Sequence, residues 1–215
     1  MIPLLHDFEG ETVLVLGGGP VGARKARRFA AEADVVVVSP DFGDRDFGDA
    51  ELVRDAPDAE AVAAYVERLD PALVVAATDD EALNDAAATA ARAHGALVNR
   101  ADDHGEQDFG TVVVPATVRD DPVTLAIATG GTAPALSKYL RERFEADFAG
   151  VGEMARLVGN LREELQDGGV PPGERREAVR AVVRSGDVWK ALDRGRSKAR
   201  QVVDDEIVDV PGDLS

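Results

Sequence analysis

A glycine loop near the start of the chain constrains its fold more than any other feature. The loop, Gly17–Gly22 (GGGPVG), follows an apolar run at 12–16 and opens a helical pattern that extends from Pro20 to Glu32. A second apolar run follows at 35–38. A strand, a glycine loop, a helix and a second strand in this order are typical of the βαβ unit that binds dinucleotides.

Each part of the loop suits a different task. Gly17 permits the tight turn out of the strand, Gly19 lets the backbone approach a pyrophosphate, and Gly22 lets the helix pack close to the strand. The helix N-terminus offers unpaired N–H groups to the phosphates, and Pro20 fits its first turn. We therefore predict cofactor contacts at Gly17, Gly19, Pro20, Val21 and Gly22. The alternative is a glycine turn that binds nothing.

An acidic residue after the second strand indicates which dinucleotide is bound. Asp41 can accept hydrogen bonds from the adenosine ribose and repel a 2′-phosphate, which favours NAD over NADP. Phe42 and Thr78 are further predicted cofactor contacts, because ligands bind at the carboxyl edge of such sheets. In the alternative reading, Asp41 is a solvated loop residue and Thr78 caps the next helix together with Asp79.

The first half of the chain alternates between strand-like and helical patterns. Apolar runs at 73–77 and 96–98, a short strand near Leu52, and helices from Ala59 to Leu69 and from Asp80 to His94 continue the alternation. This order predicts an α/β fold with a doubly wound parallel sheet of the Rossmann type.

The pattern changes in the second half. Two β-rich runs, 111–115 and 123–127, flank a polar turn and predict a hairpin, which a helix to about Phe148 follows. Only helical periodicity is present from Val151 onward. The predicted domains are an NAD-binding Rossmann domain over 1–112, a small α+β segment over 113–149, a C-terminal helical domain over 150–208 and a frayed tail over 209–215.

Composition excludes several classes of function. The net charge is −17, with 41 acidic against 24 basic residues, and such a surface repels nucleic acid and anionic lipid. The acids are dispersed, which favours a salt-adapted surface over a docking site for a cationic partner. Cysteine is absent, and the three histidines lack metal-ligand spacing, so we predict no metal site. Without a signal peptide or a long apolar run, the expected location is the cytoplasm.

Several blocks of sequence together resemble one family, precorrin-2 dehydrogenase, which also forms the N-terminal module of siroheme synthases. The blocks are Ile2–Leu4, Val13–Ala26, Ala76–Asp80 with Leu83-Asn84, Val98–Asp102, and Thr129–Pro134 before a basic helix at 137–144. The resemblance covers nearly the whole chain. It implies a Rossmann domain, a segment that forms a homodimer, and a small helical domain.

The resemblance also implies the chemistry. Family members use NAD to oxidise precorrin-2 to sirohydrochlorin, and the cofactor takes the hydride. The family's catalytic aspartate falls on Asp102, a candidate general base that in the alternative reading only caps a turn or orients substrate. The polycarboxylate substrate requires cations and N–H donors. Predicted substrate contacts are Asn99, Arg100, Thr129, Gly130, Gly131, Thr132 and Lys138, with Arg24, Lys25 and Arg141 as further bases that could equally be surface residues.

Two other functions stay open at this point. Some family members also insert iron into sirohydrochlorin, and Asp102 and His104 are the first polar groups to test for that activity. A non-catalytic NAD-sensing module would share the glycine loop and Asp41, but it has no need for the Asn99-x-x-Asp102 block. The segment between Asp102 and Pro115 is a few residues longer than the family pattern; it is acidic and carries His104. No methyltransferase follows, so we expect the upstream methylation to belong to another protein.

Overall fold

The structure, a computed structural model, describes residues 2–100 and 111–208, apart from the side chains of 206–208. The chain divides into two compact units, Met1–Val114 and Pro115–Ser215. The elements of the first unit are β1 (Thr12–Leu16), α1 (Pro20–Phe29), β2 (Asp34–Ser39), β3 (Glu51–Arg54), α2 (Ala59–Leu69), β4 (Leu73–Ala76), α3 (Glu81–Ala93) and β5 (Leu97–Arg100).

The strands of the first unit form one parallel sheet in the order β3-β2-β1-β4-β5. Successive side chains on a strand point to opposite faces, and here both faces are covered. Leu14 and Leu16 face a cluster with α2 and α3, whereas Val13 and Val15 face a cluster with α1. Continuous apolar strands are typical of such a two-sided sheet. The predicted doubly wound parallel sheet is confirmed.

Two helix ends in the first unit differ from the sequence pattern: the predicted end of α1 is wrong, and the cap of α3 is one residue later than in the alternative reading. Helix α1 ends at Phe29, not at Glu32, because the chain turns over 30–33 to bring Asp34 into register beside Thr12. The cap of α3 is Asp80, not Asp79: its carboxylate accepts a hydrogen bond from the Leu83 N–H at 3.1 Å.

The second unit contains the hairpin strands β6 (Ala116–Asp120) and β7 (Val123–Ile127), followed by α4 (Pro134–Asp147), α5 (Val151–Asp167), α6 (Pro172–Arg184), α7 (Gly186–Leu192) and α8 (Arg196–Val208). The hairpin is antiparallel, as expected. Its first strand is later than predicted, because Pro115 has no N–H for a ladder and Val112 donates to Val98 O at 2.7 Å. Thr111 makes a single bridge to Val98, next to β5.

A glycine joins the hairpin to the helices. Gly152 N–H donates to the Asp120 carboxylate at 2.9 Å, and a Cβ on Gly152 would lie 2.3 Å from the Asp121 carbonyl oxygen. Beyond it, α5–α8 enclose their own apolar core around Leu157, Leu161 and Val182. Short non-helical segments at 168–171, at Ser185 and at 193–195 separate these helices. None of the helices in the described part of the chain combines the length and the apolar character that a membrane span requires.

Candidate functional site

The glycine loop lies at the carboxyl end of β1, between the ends of β2 and β4. Gly17 has a φ of +109°, and a Cβ there would lie 2.3 Å from the Ala77 carbonyl oxygen. A Cβ on Gly22 would lie 1.9 Å from the Gly17 carbonyl oxygen. These two glycines are therefore required by the packing of the loop against β4 and α1, before any ligand is considered.

Gly19 differs from its neighbours in the loop. No atom lies within 4 Å of a Cβ built on it, so its missing side chain leaves open space above the start of α1. Gly19 is the N-cap residue of α1 and has no side chain to satisfy the first N–H groups, and Pro20 follows in the first turn. Open space and free N–H groups at a helix N-terminus fit a pyrophosphate.

Gly18 has a role that the sequence analysis missed. A Cβ on Gly18 would lie 2.2 Å from the Asp41 carbonyl oxygen and 2.8 Å from the Ser39 hydroxyl. The buried Ser39 hydroxyl also donates to the Asp41 carbonyl at 2.8 Å. The loop after β2 is thus held directly against the glycine loop, which places Asp41 beside Gly18.

The Asp41 carboxylate itself points to solvent. Its side chain is 79% exposed, and the Arg54 guanidinium lies 3.8 Å away. It is accessible to a ribose. Phe42 is placed differently, because its ring is buried in the core and meets Phe47 edge to face at 5.4 Å between ring centroids. A cofactor contact by Phe42 would have to use its main chain.

Thr78 is held by a buried asparagine. Asn84, 1% exposed, accepts from the Thr78 hydroxyl at 2.7 Å and from its N–H at 3.2 Å, and donates to its carbonyl at 3.0 Å. The Thr78 hydroxyl also accepts from Asp80 N–H at 3.2 Å. These bonds fix the β4–α3 loop beside Gly17. The only sequence signal for Asn84 was its place in the second block of the family resemblance.

Asn99 joins α1 to the chain after β5. Its side chain is 4% exposed; its oxygen accepts from the Lys25 ammonium at 2.5 Å, and its nitrogen donates to the Val112 carbonyl at 2.7 Å. Burial, together with the nearby charges of Arg24 and Arg28, lowers the pKa of Lys25 from 10.5 to about 8. A lysine with this pKa can exchange a proton near neutral pH.

Arg100 and Lys138, two predicted substrate contacts, differ in exposure. The Arg100 side chain is only 12% exposed and forms an ion pair with Asp85 on α3. Lys138 on α4 is 72% exposed, with Glu142 at 3.9 Å. Arg100 therefore ties β5 to α3, whereas the charge of Lys138 is open to solvent.

The predicted turn Thr129–Thr132 belongs to the second unit. Its hydroxyls are used internally: Thr129 bonds to Ser137 at 2.9 Å, and Thr132 donates to the Thr129 carbonyl at 2.7 Å. Gly130 and Gly131 both have positive φ, and the space at their Cβ positions is open. The turn presents glycine backbone to solvent, which suits recognition of a carboxylate through N–H groups.

Asp102 and His104 lie outside the described residues, so their roles stay predictions from the sequence. Among residues 2–100 and 111–208, no group of three or more histidines and acids could hold a metal ion.

Comparisons with known proteins agree with the fold and the loop. A family model described as "Putative NAD(P)-binding" matches residues 4–116. A precorrin-2 dehydrogenase of Methanosarcina barkeri is 30% identical over 210 residues, which cover 93% of this chain and 90% of that relative. A siroheme synthase of Pseudomonas putida is 35% identical over 173 residues, but the match covers only 35% of that longer protein. The solved structure of SirC, a precorrin-2 dehydrogenase, has a TM-score of 0.66 at 21% identity, covers 96% of this chain, and supports the fold alone.

Proposed function

The chain belongs to the precorrin-2 dehydrogenase family, and we propose that it uses NAD to oxidise precorrin-2 to sirohydrochlorin in siroheme synthesis. The observation that carries the proposal is the likeness to a precorrin-2 dehydrogenase over 93% of this chain and 90% of that relative. The chain matches only about a third of the length of a siroheme synthase. The proposal therefore covers the dehydrogenation and not the other activities of those longer proteins. We place the enzyme in the cytoplasm.

The residues of the first unit fit NAD. The open space at Gly19 and the free N-terminus of α1 accommodate a pyrophosphate, and the exposed Asp41 carboxylate can accept hydrogen bonds from ribose hydroxyls. Bound NAD supplies the hydride acceptor. The absence of a Cβ at Gly17 and Gly18 allows the chain after β4 and after β2 to pack directly against the loop. The proposed binding surface is therefore preformed without the cofactor.

Proton handling and substrate binding fall to other residues. We assign the general base to Asp102, by its position in the family's Asn-x-x-Asp block. We assign Asn99 a positioning role. Its side chain connects β5, the strand directly before Asp102, with Lys25 on α1 and with the Val112 carbonyl. The open glycine turn at Gly130 and Gly131 and the exposed Lys138 are the proposed contacts for substrate carboxylates.

A homodimer is part of the proposal. The hairpin and α4 contain no fully buried residue, although the structure describes all of 116–147. On and just after α4, the side chains of Leu136, Tyr139 and Phe148 are 48%, 56% and 45% exposed. A segment so poorly covered within one chain suits burial against a second copy. Tyr139→Glu is expected to convert a dimer to monomer in light scattering; a wild-type monomer would refute the dimer.

The activity test uses precorrin-2 and NAD with the full chain, following NADH absorbance and the sirohydrochlorin spectrum. We expect both signals to rise together, and we expect Asp102→Asn to lose at least about a hundredfold in turnover while still binding NAD. Asp103→Asn, at the neighbouring acid, is the matched control. NAD binding without either signal would favour the sensing module and reject the dehydrogenase. Iron added to the same reaction tests for chelation.

A further inference from the structure

A groove on the second unit is lined by arginines. It has a volume of about 620 Å³ and is formed by α5 and α6 alone. Its charged lining consists of Arg162, Arg175, Arg176, Arg180 and Arg184, and its apolar lining of Pro172, Val179 and Val183. Such a concentration of positive charge is unexpected in a chain with 41 acids and 24 bases.

None of these arginines forms an ion pair with a carboxylate in the described part of the chain. Arginines elsewhere in the same unit do: Arg156 pairs with Glu153 at 2.7 Å, and Arg200 pairs with Glu164 at 2.5 Å. Two groove arginines are instead held by neutral groups. Arg175 donates to the Gln166 side-chain oxygen at 2.9 Å, and Arg176 donates to the Pro172 carbonyl at 3.1 Å. The Arg175 Nε atom is buried without a partner.

The spacing on α6 places like charges next to each other. Arg176, Arg180 and Arg184 follow at intervals of four residues and therefore share one helix face. Like charges at this spacing destabilise a helix, and no carboxylate in the described part of the chain lies within ion-pair distance of these three arginines. Val183 lies beside them with 41% of its surface exposed. The groove thus combines guanidinium groups that have no ion-pair partner among the described residues with apolar lining residues, and an anionic ligand with an apolar body would complement both.

We propose that this groove binds an acidic tetrapyrrole. Guanidinium groups bind carboxylates through two parallel hydrogen bonds and also stack on flat conjugated rings, so arginines suit both parts of such a molecule. A volume of about 620 Å³ is within the range of small-molecule sites. The choice of tetrapyrrole rests on the proposed function. The groove itself is independent of the NAD loop, because its lining comes from the second unit only.

The tryptophan of the chain provides a local signal for binding. The chain contains a single tryptophan, Trp189, and its indole N–H donates to the carbonyl of the groove residue Val183 at 2.9 Å. A porphyrin bound in the groove will quench its fluorescence. The probe is uroporphyrin I, a polycarboxylate porphyrin that is already oxidised and cannot turn over.

The test compares three forms of the full chain by titration with this probe. The groove variant combines Arg176→Gln, Arg180→Gln and Arg184→Gln, and the control variant makes the same change of charge at exposed arginines elsewhere with Arg68→Gln, Arg194→Gln and Arg196→Gln. We expect the Kd to rise at least about tenfold in the groove variant and to stay near the wild-type value in the control. Val183→Glu, which keeps every arginine but adds a carboxylate to the floor, is expected to weaken binding as well.

Three results would overturn the proposal: equal affinity in the wild type and groove variant, equal losses in groove and control variants, or displacement of uroporphyrin by inorganic tripolyphosphate at similar concentration. The last would mark a general polyanion site. Precorrin-2 oxidation is measured on the same preparations. If precorrin-2 is oxidised normally but the quenching of Trp189 does not depend on the groove arginines, only the groove proposal is rejected. If the quenching depends on these arginines but precorrin-2 is not oxidised, the proposed dehydrogenase activity is rejected and the tetrapyrrole site is retained.

Discussion

The ammonium of Lys25 on α1 lies 2.5 Å from the side-chain oxygen of Asn99 on β5. The nitrogen of the same amide donates to the Val112 carbonyl at 2.7 Å. One nearly buried asparagine therefore links the helix that follows the glycine loop, the last strand of the sheet and the chain that returns beside it. Because the link contains a charge with a shifted pKa, it can be tested by titration as well as by substitution.

The titration of Lys25 should change stability at alkaline pH. The pKa of this lysine is about 8 in the folded protein and 10.5 in the unfolded chain. Between these values the unfolded state binds more protons, so this lysine makes the unfolding free energy rise with pH, by at most about 1.4 kcal/mol per pH unit. In denaturant titrations between pH 8 and 10.5, we expect the unfolding free energy of the wild type to increase relative to that of Lys25→Met as the pH rises. Lys198→Met, at an exposed lysine, is the control. The prediction would be contradicted if the unfolding free energies of the wild type and Lys25→Met changed in parallel with pH.

Removal of the Asn99 amide should destabilise the first unit. Asn99→Leu keeps the volume but leaves the Lys25 ammonium and the Val112 carbonyl without their partner, and unsatisfied buried groups cost about 1–3 kcal/mol each. We expect a loss of about 2 kcal/mol or more in urea unfolding. Asn160→Leu, at an exposed position on α5, serves as the control and should be nearly neutral.

Substitutions in the glycine loop should separate folding from binding. Gly22→Ala places a methyl group 1.9 Å from the Gly17 carbonyl oxygen, so we expect a loss of several kcal/mol of stability, about 3 or more. Gly19→Ala meets open space, so its melting temperature without ligand should match wild type. Its methyl group would occupy the pyrophosphate position and raise the NAD Kd at least about tenfold. Calorimetry with and without NAD measures both effects, and unchanged NAD affinity in Gly19→Ala would remove the loop from the site.

The Asp41 carboxylate should set the preference for NAD. Asp41→Asn removes the charge that repels a 2′-phosphate, while Arg54 stays nearby to attract it. We expect NAD affinity to fall about tenfold and NADP affinity to rise, so that their ratio changes sharply. Asp44→Asn, at an exposed acid in the same loop, should leave the ratio unchanged. Equilibrium titration with both dinucleotides decides the matter.

Most of the first unit could be predicted because its signals are local. Apolar runs such as 12–16 and 35–38 are buried on both faces, and glycines and Pro20 mark the turn between them. The errors fell where tertiary pairing overrides the local pattern. The run 111–115 has strand composition, but Val112 bonds to Val98 and Pro115 cannot extend a ladder, so the hairpin begins at Ala116.

The glycine loop, the acid after β2 and the family can all be recognised from residue type and spacing, because these signals lie in short stretches of sequence. The contacts of Gly18 with Asp41, of Asn84 with Thr78 and of Asn99 with Lys25 become apparent only in the folded chain. These contacts join residues on different elements, and their partners depend on strand order and helix rotation. The sequence shows where the groove arginines stand along the chain. Whether each has a carboxylate partner depends on how the helices pack, and none has an ion-pair partner within the described residues.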